Sequence, residues 1–92
     1  MGITLIRIKI MPTSPDVDLE EIKSKIKKII EEYKGNRIIF EEEVIAFGLK
    51  AIIVNFEQEE NENSEIEPIE EEINKLLNVN SVETVDIRRA FG

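Results

Sequence analysis

The sequence contains neither cysteine nor histidine. Without thiols there is no disulfide framework and no thiolate nucleophile, and without imidazole the usual general base and the commonest transition-metal ligand are missing. Covalent chemistry would have to run on carboxylates and lysines. Aromatic residues make up only 5% of the chain, and the Arg/Lys-Gly-aromatic signature of RNA-binding sheets is absent, which weakens a base-stacking role. Long apolar runs are scarce too. Arg7 and Lys9 interrupt the segment from Ile3 to Met11 too early for the apolar region of a signal peptide, and nothing approaches a membrane-spanning length. The expected location is the cytoplasm, with no membrane partner.

What is present is a balance of apolar and charged residues, 41% and 35% of 92 residues, which describes one compact domain over 1–92. A chain of this size buries only about 60–65% of its unfolded surface, leaving little room for an enclosed cofactor site. No cofactor or metal is expected, and most enzyme chemistries are disfavoured. Acidic residues outnumber basic ones 20 to 12, a formal net charge of -8. Such a surface repels a phosphate backbone, so no direct nucleic-acid contact is expected, and a basic partner protein suits it better.

Along the chain, Ile6, Ile8 and Ile10 alternate with Leu5, Arg7 and Lys9, the period of a strand with one buried face. Pro12 and Pro15 stop it. Asp18 followed by Glu21 has the form of a capping box, and Leu19, Ile22, Ile26, Ile29, Ile30 and Tyr33 recur at helical spacing up to Gly35. Lys23, Lys25, Lys27, Lys28, Glu31 and Glu32 fall on the outer side of that helix and read as a solvated face. Two strands follow, over 37–47 and 49–57. Gln58 to Glu65 is polar without periodicity and reads as a surface connection. Ser64 and Glu67 suit the cap of a second helix with Pro68 in its opening turn. Ile66, Ile69, Ile73, Leu76 and Leu77 form its apolar stripe, and Asn78 or Asn80 its end. A last strand runs from Val82 to about Arg88. The order strand, helix, strand, strand, helix, strand predicts an α+β, ferredoxin-like split βαβ sandwich: a four-stranded antiparallel sheet with both helices on one face.

The stretch Val44-Ile45-Ala46-Phe47-Gly48-Leu49-Lys50 joins the two most strand-like segments. Gly48 can take the positive φ of a tight reversal, which places Phe47 at the tip of a hairpin. A phenylalanine in an apolar run is more often core, and both readings stand at this point. Glu41-Glu42-Glu43 precede the tip. Adjacent strand residues point to opposite faces, so three consecutive carboxylates do not converge on one ion; they read as a solvated edge that discourages aggregation.

Four segments together resemble a known family: Ile8-Lys9-Ile10-Met11-Pro12, Asp16-Val17-Asp18-Leu19-Glu20, Ala46-Phe47-Gly48-Leu49-Lys50-Ala51 and Ser81-Val82-Glu83-Thr84-Val85-Asp86-Ile87. In that order they look like the archaeal translation elongation factor 1-beta family, and the resemblance covers the whole chain. It implies a guanine nucleotide exchange factor without covalent chemistry; the expected state of the chain is a monomer. Its implied partner is GDP-bound elongation factor 1-alpha, the GTPase that delivers aminoacyl-tRNA. By the same resemblance, Phe47 enters the partner to disturb its Mg²⁺ and nucleotide site, flanked by Ala46 and Gly48, and Lys50 supports the loop or touches the partner. Ala46 stands where the eukaryotic motif has glycine. Eukaryotic members also place a lysine beside the C-terminus, whereas this chain reads Arg88-Arg89-Ala90-Phe91-Gly92. Arg88 and Arg89 are carried as the candidate partner-binding cations there.

The same fold also hosts small-molecule-binding or oligomerising regulatory modules, which remain the alternative. Acyl phosphate hydrolysis on a similar small fold needs a glycine-rich anion loop, and here the first strand runs directly into Pro12-Thr13-Ser14-Pro15.

Overall fold

The computed structural model describes residues 2–59 and 66–90. Its elements run β1 (Ile3–Pro12), α1 (Leu19–Glu32), β2 (Asn36–Ala46), β3 (Leu49–Glu59), α2 (Glu67–Asn74) and β4 (Val79–Ala90). The strands form one antiparallel sheet in the order β2-β3-β1-β4. This is the expected split βαβ topology.

The period-two pattern of β1 decides which face is covered. Ile6, Ile8 and Ile10 meet Ile52, Val54 and Phe56 of β3, Ile22, Ile26, Ile29 and Ile30 of α1, and Ile69 and Ile73 of α2 in one core. Each such side chain withdrawn from water contributes about 1.5–3 kcal/mol before the entropy of ordering it is counted. The opposite, open face carries Arg7 and Lys9 from β1. Arg7 donates to Glu41 at 3.2 Å and to Asn55 at 3.1 Å.

α1 starts where the sequence places it. The Asp18 carboxylate accepts from the backbone N–H of Glu20 at 3.0 Å and of Glu21 at 3.4 Å, supplying partners that the first helical turn lacks. At the far end Lys34 takes the left-handed turn (φ 63), and the Gly35 N–H donates to the Ile30 carbonyl at 2.8 Å. Gly35 is required by space: a Cβ there would lie 2.2 Å from Ile30 Cγ2.

Several boundaries differ from the sequence reading, each for a physical reason. β3 continues to Glu59, so Gln58 is a strand residue rather than part of a surface connection; it is buried and donates to the Tyr33 carbonyl at 2.9 Å. That bond satisfies a carbonyl at the end of α1. α2 ends at Asn74, earlier than the apolar spacing implies, because its last turn gives way to a reversal with Asn78 at φ 70. Leu76 still packs against the core, whereas Leu77 is 74% exposed. α2 carries no side-chain cap from Ile66 and has Pro68 in its first turn; the proposed cap at Ser64 lies outside the described residues, as does 60–65 of the polar connection. β4 begins three residues before Val82, as Val79 pairs with Pro12. Among the described residues no helix is long and apolar enough to cross a membrane.

Candidate functional site

β2 and β3 close on each other through the pair Ala46 and Leu49, leaving a two-residue loop. Phe47 has φ 51 and Gly48 φ 80, the positive pair that a type I′ hairpin turn requires. Glycine adopts this conformation without cost. For an L-residue as bulky as phenylalanine it costs about 1–2 kcal/mol, and asparagine is the residue that ordinarily fills the position. The Phe47 side chain offsets none of that cost through packing, since the residue is 100% exposed. The core reading of Phe47 is thereby corrected: the glycine that follows it turns it outward.

The backbone next to the tip is also irregular. The β2 to β3 register shifts between Val44 and Ala46, which places a bulge at Ile45. Bulges re-aim side chains, and here the shift leaves Val44 71% and Ile45 38% exposed beside Phe47. On the other flank Pro15 lies close by, 3.8 Å from where a Cβ on Gly48 would stand. Leu77 belongs to this end of the sheet as well, in the turn where the Thr13 N–H donates to the Asn78 carbonyl at 2.9 Å. Helical spacing assigns Leu77 to the core, so nothing in the sequence pattern announces it at the surface. Val44 and Ile45 are missed for a similar reason, because a bulge is invisible to strand alternation.

Lys50 is exposed and stands 3.8 Å from the Glu42 carboxylate. Glu42 also accepts from Lys23 of α1 at 2.7 Å. Lys23 donates to Glu20 at 2.9 Å, and its side chain is only 16% exposed. The hydrogen bond from Lys23 holds the Glu42 carboxyl below its ordinary range, and the Glu42 and Glu20 carboxylates raise the ammonium pKa of Lys23. Lys23 is therefore not a member of a freely solvated helix face. Glu41 and Glu43 point the other way, to Arg7 at 3.2 Å and Lys9 at 3.6 Å.

Four of the residues predicted for the site, Ala46, Phe47, Gly48 and Lys50, come together. Arg88 and Arg89 do not join them. They pair with Leu5 and Thr4, at the opposite end of β1 from Pro12. From the rung where Ile10 faces Ile52, the tip lies four positions one way and Arg88 five the other. At roughly 3.3 Å per residue the two sets stand about 30 Å apart. The molecule is 43 Å long, so this separation is most of its length. Arg88 donates to Asp86 at 2.7 Å. An aromatic ring held out on a short, defined turn, with apolar neighbours and a cation behind it, suits insertion into a pocket of another protein.

Comparison with known proteins finds that the EF-1 guanine nucleotide exchange domain matches residues 5–90. Elongation factor 1-beta of Methanocaldococcus jannaschii is 45% identical over 91 residues, covering 98% of this chain and 100% of that protein. Elongation factor 1-beta of Methanosarcina barkeri is 44% identical over 89 residues, covering 97% and 99%. Elongation factor 1-beta of Methanococcus maripaludis strain C7 is 39% identical over 87 residues, covering 95% and 97%. Among solved structures, the de novo designed protein Foldit4 superposes with a TM-score of 0.63 over 98% of both chains; at 20% identity it shows the fold alone.

Proposed function

The chain belongs to the EF-1 guanine nucleotide exchange domain family, which serves nucleotide exchange in translation elongation, and from that premise we propose that it promotes GDP release and GTP reloading on elongation factor 1-alpha. The observation that carries this reading is the fully exposed Phe47 on a turn that disfavours phenylalanine. Strain of this kind persists where the surrounding structure imposes it and a function uses it.

The mechanism is linkage. A factor that binds the GTPase better without GDP weakens GDP binding by the same factor, with no covalent step. Phe47 is the wedge. Mg²⁺ grips nucleotide phosphates through a demanding octahedral shell, so a small shift of its ligands by an inserted ring loosens the nucleotide. Ala46 and Gly48 keep the backbone around the ring narrow, and Lys50 presents a charge behind it. We assign the primary contact to these four residues and place Arg88 and Arg89, about 30 Å away at the far end of the sheet, in a separate contact. The chain acts as a single exchange domain, and one copy presents all of these residues, so a monomer suffices for the contact.

Release of fluorescent GDP from archaeal elongation factor 1-alpha, with excess unlabelled nucleotide and increasing amounts of this protein, tests the reading. A saturable acceleration is expected. Phe47→Ala keeps the fold and weakens the contact by about 2 kcal/mol, roughly thirtyfold. Absence of acceleration with a competent GTPase and a folded sample overturns the reading. Concentration-dependent self-association with a bound small molecule would then favour a regulatory module.

A further inference from the structure

Glu41-Glu42-Glu43 lie on β2 ahead of the tip, separated from Phe47 by Val44, Ile45 and Ala46, and insertion of Phe47 gives them no task. The structure gives each a cation, on alternating faces. Glu41 accepts from Arg7 and, at 2.8 Å, from the Asn55 amide, while Glu43 faces Lys9, all on the open face. Glu42 turns to the helix layer, where it meets Lys23 at 2.7 Å and Lys50 at 3.8 Å.

Among the described residues, the distal half of β2 buries no side chain on the helix side. Every residue from Glu41 to Ala46 is exposed, whereas Ile38 and Phe40 in the proximal half pack against the core. An exposed edge strand ending in an exposed turn bends and frays about its last anchored side chain. Glu42 is placed to be that anchor. Its partner Lys23 is itself fixed by Glu20 and mostly covered, so the pair is screened less than the ion pairs on the open face. The same carboxylate draws the ammonium of Lys50 towards the helix side of the hairpin.

We propose that Glu42 is a positioning residue: through Lys23 it locks the distal hairpin onto α1 and fixes the direction in which Phe47 and Lys50 meet the GTPase. This rests on the reading of Phe47 as the partner anchor. A pre-positioned anchor loses less freedom on binding, so Glu42 acts on affinity rather than on events within the complex.

Glu42→Gln, Lys23→Met and the double variant test it, with two readouts. The first is hydrogen exchange of the backbone amides over 45–50, followed by NMR in the isolated protein. The second is the concentration giving half-maximal GDP release. Each single variant is expected to speed amide exchange at the tip and to raise the half-saturating concentration about two- to fivefold, the range of partly exposed ion pairs. The maximal rate stays the same, and the double variant is no worse than the worse single one, because both act through one bond. Unchanged tip amides, additive effects, or a loosened tip with unchanged half-saturation would each overturn the proposal. If the wild-type protein fails to release GDP, the exchange reading falls, while the amide measurement still decides whether Glu42 holds the tip.

Discussion

β2 and β3 are the two arms of one hairpin, both 11 residues long and both rich in isoleucine, valine and phenylalanine, yet the structure treats them oppositely. β3 lies between β2 and β1, and Ala51 through Val54, Phe56 and Gln58 are buried. β2 lies at the edge and has no buried residue. Composition does not separate the arms; position in the sheet does, which is why strand propensity measures packing context more than backbone preference. β3 is held by the hydrophobic effect, and the outer half of β2 by ion pairs. The arm with little packing of its own is the one that leads into the tip, so its sequence is freer to serve a partner.

The largest expected break in this comparison comes from truncating each arm in turn. Ile52→Ala in β3 removes a side chain with no exposure and should cost about 2–5 kcal/mol, read from denaturant unfolding. Ile39→Ala in β2, where the residue is 60% exposed, should stay within about 0.5 kcal/mol. Equal losses would erase the distinction between the arms. Gly35→Ala, at the entry to β2, should cost about 1–3 kcal/mol, because the added methyl group collides with the buried Ile30 and the core must shift.

A smaller effect sharpens the comparison at the tip. Phe47→Asn places the residue preferred in a type I′ turn and should raise stability by a few tenths to about 1 kcal/mol. GDP release should fall as far as with alanine. A variant that is both more stable and inactive would show that the strain at Phe47 is kept for the partner. A loss of stability would show that the ring contributes to the fold despite its exposure.

The contrast also explains which parts of the molecule the sequence discloses. Alternation in β1 and helical spacing in α1 reflect burial on one face, so Ile6, Ile8, Ile10, Ile22, Ile26 and Ile30 are legible from pattern alone, and with them the fold. The glycine after Phe47 makes the turn legible too. Gln58 is not, because its type argues for a surface connection and only the carbonyl at the end of α1 gives it a buried partner. Leu77 is misplaced because helical spacing continues past the point where the chain reverses at Asn78. Arg88 and Arg89 are grouped with Phe47 by family resemblance, yet strand register separates them, and register is a tertiary property that no local motif states. The link between Lys23 and Glu42 joins residues distant in the chain and is equally silent in the sequence.

The smallest expected effect is on pH dependence, and it isolates the ion pair on the outer half of β2. Glu42 is held below the ordinary carboxylate value of 4.5 by the hydrogen bond from Lys23. Its share of stability is therefore complete above that value and is lost as pH falls through the lower folded-state value. Lys23 is held above 10.5 by Glu42 and Glu20, so its share is complete below 10.5 and is lost as pH rises through the higher folded-state value. Tyr33, whose hydroxyl donates to Glu72, is raised above 10.0 by that bond and also loses its share on the alkaline side. The difference in melting temperature between the wild-type protein and Glu42→Gln should consequently be steady across neutral pH and shrink as pH falls below 4.5 and through the lower folded-state value, where the wild-type carboxylate takes up its proton. It should also shrink at strongly alkaline pH, as Lys23 loses its charge. Ile52→Ala, by contrast, should lower stability by a similar amount at neutral and mildly acidic pH, since apolar burial carries no proton. A difference for Glu42→Gln that ignored acid would mean that the carboxylate on β2 acts through its shape rather than its charge.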